Sequence, residues 1–131
     1  MADAIDHDEM MRARAAYFAN VSYLDEVIGD LLLRLDADGL LDNTIIVYTT
    51  DHGEMAGEHG GWWKSNYYEG SVGVPLIARL PGRVPAGAAH DVVCNLMDLG
   101  PTILDLIGAL PMPTTVPTAT PVLATAAKKQ S

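Results

Sequence analysis

The sequence predicts an α/β fold: an incomplete, mostly parallel sheet with flanking helices. Three features in order carry that prediction: a long helical stripe, a run of β-branched residues after it, and a second apolar strand leading to a shorter helix. Residues 9–38 read as one amphipathic helix, because Tyr17, Val21, Leu24, Ile28, Leu31, Leu32 and Leu35 recur at steps of three and four. Gly39 stands where a C-terminal cap is expected. After an Asp42-Asn43 turn, residues 44–50 (TIIVYTT) have the composition of a strand buried on both faces. Residues 74–80 (VPLIARL) form a second strand, with Pro75 near its start, where a missing N–H is tolerated. A short third strand is expected at 90–95 (HDVVCN). A helix follows at 98–110, with Asp98 as cap, Pro101 in the first turn, and Ile103, Leu104, Ile107 and Leu110 as its apolar face. Three strands and two helices are too few to cover both faces of a parallel sheet, so part of a larger fold is expected.

The chain has 131 residues, 49% of them hydrophobic, with a net charge of −9. That charge argues against nucleic-acid binding, which needs a basic surface to displace phosphate counterions, and against docking on anionic lipid. Residues 1–70 hold 14 of the 17 acids and 4 of the 8 bases. One cysteine, Cys94, excludes an internal disulfide and reads as a small buried apolar residue. No apolar run approaches the ~18 residues of a membrane span. The acidic start MADAIDHDEMM has no signal-peptide pattern, so a cytoplasmic location is expected. Residues 111–131 are Pro/Thr/Ala-rich and aperiodic, and are expected to be a disordered tail on a partial domain of residues 1–110.

The chemistry lies between the two clear strands. Residues 51–73 (DHGEMAGEHGGWWKSNYYEGSVG) lack periodicity, yet hold four of the eight aromatics, six of the twelve glycines and two of the four histidines. A loop of that length in a compact domain is usually functional or disordered, and the aromatics argue against disorder. Asp51 and His52 fall at the carboxyl end of a strand, where open α/β sheets bind ligands. A carboxylate beside an imidazole makes half of a divalent-cation site, and Gly53 would remove a side chain that could crowd the ion. The plainer reading stays open at this point: Asp51 caps a turn and His52 is a surface residue. His52 and His59, seven apart, do not make H-E-x-x-H, and the acid spacing does not fit an EF-hand.

The run TTDHGEMAGEHGGWWKSNYYEGSVGVPLIARLPG resembles the later part of the sulfatase catalytic domain, in the alkaline-phosphatase-like superfamily. The matching pieces are Asp51-His52-Gly53, Gly57-Glu58-His59-Gly60, Trp62-Trp63-Lys64, Glu69-Gly70 and Val74-Pro75-Leu76-Ile77. The upstream helix and MDLGPTILDLIGA are also similar to the family, so the resemblance covers roughly residues 12–112.

The resemblance implies a partial alkaline-phosphatase-like α/β/α sandwich and metal-dependent hydrolysis of a small-molecule sulfate ester. Asp51 and His52 would be metal ligands, Asp51 also touching the nucleophile. Lys64, thirteen residues on, would hold a sulfate oxygen. Calcium is the first candidate ion, with manganese or magnesium as alternatives. His59, Trp62 and Trp63 are candidate pocket residues, His59 more readily a loop strut. Glu58 and Glu69 read as struts.

Relatives use a formylglycine nucleophile made from cysteine in a C-x-P/A-x-R segment. Cys94 sits in CNLMD, so these residues contain no nucleophile, and the family's first-strand aspartate pair has no counterpart. The chain is therefore expected to be a sulfatase fragment, inactive by itself and prone to self-association through uncovered apolar surface. Two alternatives remain: a fragment of a phosphonate monoester or phosphodiester hydrolase, and a non-catalytic interaction module.

Overall fold

The computed structural model describes residues 6–91 and 93–109. The expected tail at 111–131 lies outside them. Helix α1 (His7–Ala37) matches the predicted stripe closely. Asp8 and Glu9 in its first turn and Arg34 in its last complement the helix dipole. It ends as the sequence indicates: Gly39 is left-handed (φ 68°), its N–H bonds Asp36 O at 2.9 Å, and the Leu40 N–H bonds Leu35 O at 2.8 Å. This Schellman closure satisfies two terminal carbonyls and needs a residue that adopts positive φ freely.

The stripe itself is largely open. No α1 side chain is fully buried, and Val21, Leu24 and Leu31 are 46%, 47% and 56% exposed. Strands β1 (Ile46–Thr49) and β2 (Leu76–Arg79) pair as a two-stranded sheet. The composition of residues 44–50 predicted burial on both faces, but the structure leaves β1 half-buried, with Tyr48 exposed. β-branched composition records what a strand can pack against; actual burial needs neighbours, and one paired strand does not supply them.

Two further expectations are corrected. No strand forms among the described residues of 90–95, and Cys94 is exposed rather than buried. Asn95 instead closes a capping box: its Oδ1 accepts the Met97 N–H at 2.8 Å, while Asp98 Oδ2 accepts the Asn95 N–H at 2.9 Å. A 3₁₀ turn (Leu96–Asp98) then runs into the next regular helix, Leu99–Leu106. The cap is thus Asn95, and Asp98 answers it from inside the turn. The buried line is Asp98, Thr102 and Leu106, four residues apart, with the Thr102 hydroxyl donating to Asp98 O at 2.6 Å. Ile103 and Ile107, expected on the apolar face, are 37% and 59% exposed. Asn95→Ala should lower stability by about 1 kcal/mol, read as a shift in the urea-unfolding midpoint with an unchanged slope.

The described chain divides into two compact units. One holds the residues up to Asp42 with Tyr48–Leu76; the other holds Asn43–Val47 with the described residues from Ile77 onward. All the candidate site residues belong to the first, which also contains a one-turn helix, Glu69–Val72. Met55, 1% exposed, is the centre of its small core.

Candidate metal and anion site

β1 ends at Thr49, and the chain turns at Thr50. The Thr50 hydroxyl lies 3.3 Å from Asp51 Oδ1 and 3.2 Å from the His52 carbonyl, so one group steadies both residues. His52 Nδ1 is 2.8 Å from the Gly53 carbonyl oxygen. A carbonyl only accepts, so Nδ1 carries the hydrogen, and in the neutral ring Nε2 presents its lone pair. That Nε2 is 3.6 Å from Asp51 Oδ2, beyond a hydrogen bond. Two donors on one cation bound at ~2.0–2.6 Å lie roughly 2.8–4.2 Å apart, from octahedral to tetrahedral angles. The pair therefore fits one edge of a divalent-cation shell, with the imidazole oriented through its far nitrogen as metal-binding histidines commonly are. Among the described residues no third His, Cys, Asp or Glu converges there.

Asp51 is mostly exposed. Desolvation is the largest single influence and raises the pKa of its carboxyl, but its own backbone N–H, electrostatic attraction to His52 and Lys64, and the Thr50 hydroxyl together outweigh it, so the net shift is downward. The group is then charged throughout the neutral range. Any stabilisation it lends to the fold is present above the ordinary carboxylate pKa and is lost as pH falls through the depressed one.

Gly53 has a different reason from the one its sequence position suggested. Its N–H donates to Ser71 O at 2.8 Å, and a β-carbon there would collide with the carbonyl of Gly70. The space a side chain would take belongs to the backbone of the facing segment, not to an ion.

The rest of the loop folds back on itself. Met55 N–H donates to Trp63 O at 3.1 Å and Gly57 N–H to Gly61 O at 2.9 Å. Ala56, His59, Trp63 and Ser65 all have left-handed φ (48°, 52°, 71° and 90°). Each costs on the order of 1–3 kcal/mol, a strain that persists only where surrounding structure enforces it. Glu54 does part of the enforcing: its Oε1 accepts the N–H of Ala56 at 3.1 Å and of Trp63 at 2.6 Å.

Lys64 is exposed, between two of these left-handed residues, and its charge reaches Asp51. Asp51, His52 and Lys64 thus share one neighbourhood. His59 lies elsewhere in the loop, stacked on Tyr68 with ring centroids 4.1 Å apart and planes 14° apart. Trp62 is half-buried, and a β-carbon at Gly57 would lie 3.5 Å from its ring and 3.1 Å from the Met10 sulfur of α1. Trp63 is 77% exposed. Glu58 is exposed, and Glu69 opens the one-turn helix. Sequence reasoning passed over Thr50 and Glu54. The only hint was a carboxylate directly after Asp51-His52-Gly53, and its partners are backbone N–H groups that leave no trace in the sequence.

The helices and small sheet that carry these residues make this chain part of an alkaline-phosphatase-like α/β fold. Two solved structures show the likeness. One is the structure of BT4656 in complex with its substrate D-glucosamine-2-N,6-O-disulfate: TM-score 0.75 and 43% identity, over 82% of this chain and 22% of that one. The other is the phosphonate monoester hydrolase SpPMH from Silicibacter pomeroyi: TM-score 0.69 and 37% identity, over 77% and 20%. The sulfatase family model matches residues 2–109, and the chain belongs to the sulfatase family. Among curated relatives, the choline-sulfatase of Rhizobium meliloti (strain 1021) is 43% identical over 104 residues, 79% of this chain and 20% of that protein. Human arylsulfatase K is 40% identical over 105 residues, 80% and 19%. The chain spans about a fifth of the length of the relatives it matches.

Proposed function

We propose that this chain supplies the metal-side and anion-side wall of a hydrolase that cleaves small-molecule sulfate esters. The observation that carries the proposal is the pairing of Asp51 Oδ2 and His52 Nε2 at 3.6 Å, with the far nitrogen of His52 tied to a carbonyl. Asp51 and His52 would hold a divalent cation. Calcium is the first choice for the carboxylate, and manganese or magnesium are the alternatives, manganese favoured by the nitrogen donor. A cation bound there supplies Lewis-acid polarisation and charge neutralisation at the sulfate. The chain's own residues do the rest of the local work. Asp51 contributes fixed negative charge, the Gly53 carbonyl keeps the His52 lone pair facing outward, and Lys64 offers an ammonium to a sulfate oxygen as negative charge grows on it.

A phosphonate monoester hydrolase is the second reading, supported by the likeness to SpPMH. Sulfate and phosphonate oxygens make the same demands on Lys64 and the cation, so a substrate panel on a full-length relative separates the two.

The 131 residues alone are expected to bind calcium or manganese weakly and to turn over no aryl sulfate. Their one cysteine, Cys94, is not followed by the C-x-P/A-x-R pattern from which formylglycine is made. Calorimetric metal titration and a chromogenic aryl-sulfate assay check both statements. Turnover that disappears in Asp51→Ala would falsify the second.

A further inference from the structure

We propose that Glu54 is the positioning residue for Lys64. It acts by clamping the backbone so that the ammonium is presented toward the Asp51–His52 pair. The inference rests on reading Lys64 as the anion-binding group, and deepens it.

Trp63 and Ser65, on either side of Lys64, have φ of 71° and 90°, a region that bulky and β-substituted residues avoid. Two departures of this kind, one on each side of a residue, decide the direction in which its side chain leaves the chain. Without a clamp, the segment would relax to ordinary φ values and Lys64 would swing away with it. The clamp is visible. Glu54 Oε1 takes the Trp63 N–H at 2.6 Å, across nine residues, and the N–H of left-handed Ala56 at 3.1 Å. One charged oxygen therefore ties both ends of the 54–63 excursion, and charge-assisted bonds of this kind are stronger than neutral ones. The Met55 N–H to Trp63 O bond at 3.1 Å completes the closure beside it. Glu54 itself follows Gly53, whose backbone is held against Ser71 and Gly70. The clamp is therefore anchored to the same stretch that carries Asp51 and His52. A carboxylate placed here has no need to touch substrate. It sets the separation between the cation side and the lysine side of the site.

The test uses the full 131-residue chain. Solution NMR couplings report the left-handed state of Trp63 and Ser65, and amide exchange reports protection of the Trp63 N–H. Calorimetry with manganese present measures affinity for inorganic sulfate. Wild type should show both left-handed residues and a protected Trp63 N–H. Glu54→Ala should lose both signatures and weaken sulfate about tenfold, as Lys64→Met does. In the Lys64→Met background it should weaken sulfate no further. Glu54→Gln keeps an oxygen acceptor and should restore most of the protection.

If Glu54→Ala leaves the Trp63 and Ser65 conformations intact, or if its effect on sulfate simply adds to that of Lys64→Met, the proposal is overturned. If wild type binds no sulfate, the anion-binding reading of Lys64 fails. The NMR signatures still decide whether Glu54 holds the segment. A circular-dichroism melt of each variant separates a local change from unfolding, and Glu54→Gln carries the comparison should Glu54→Ala not fold.

Discussion

Asp51→Asn is expected to remove divalent-metal binding almost entirely while leaving the fold in place. The substitution keeps the size and planarity of the side chain and retains an oxygen for the Thr50 hydroxyl, now 3.3 Å from Oδ1. What it removes is the negative charge. With only Asp51 and His52 converging among the described residues, the carboxylate is the larger part of the attraction for a hard cation. Deleting it should cost about a hundredfold or more in calcium or manganese affinity, since changes even to outer groups of metal sites cost about 10–100-fold. Stability should move by less than about 0.5 kcal/mol, because the side chain is 75% exposed. Calorimetric titration and thermal unfolding on one preparation check both halves. Undiminished metal binding in the variant would remove Asp51 from the site.

Gly53→Ala should do the opposite: damage the fold first and the site as a consequence. The added methyl would meet the Gly70 carbonyl and lie 3.3 Å from the Gly73 oxygen. These obstacles are backbone atoms and cannot rotate away. Relief requires moving the 70–73 segment, which breaks the Gly53 N–H bond to Ser71 O and opens the packing around Met55. A loss of about 3 kcal/mol or more is expected, at the top of the range for overpacking, together with lost metal binding. Gly61→Ala is the internal control. Its methyl would sit 3.4 Å from Glu58 O and 3.8 Å from Met55, ordinary contact distances, so urea unfolding should show little change. Equal midpoints for the two variants would mean that the Gly53–Gly70 approach is not what holds this loop.

Much of the candidate site is legible in the residues because the chemistry proposed for it is local. Asp51 and His52 are adjacent in sequence, so a strand ending in that pair delivers a carboxylate and an imidazole together whatever surrounds them. Lys64 was legible only through its resemblance to a known pattern, since thirteen residues of loop say nothing about where an ammonium ends up. α1 was legible down to its Gly39 closure, because a 3.6-residue stripe and a left-handed cap are both written in single residues. The third strand at 90–95 was not, because strand composition is a statement about partners, and Asn95 used that stretch to cap a helix instead.

By itself, then, the sequence determined the elements whose causes are short-range: the long helix and its stop, the two strands, the adjacency of Asp51 and His52, and the family. The tertiary structure alone decided what depends on backbone meeting backbone. It showed that Gly53 is glycine because of Gly70, that Glu54 binds the amides two and nine residues further on, and that four non-glycine residues are left-handed in the loop. The physical reason is that backbone N–H and C=O groups are identical in every residue. Which of them pair across a loop is invisible until the chain has folded, whereas side-chain charge and periodicity are visible beforehand.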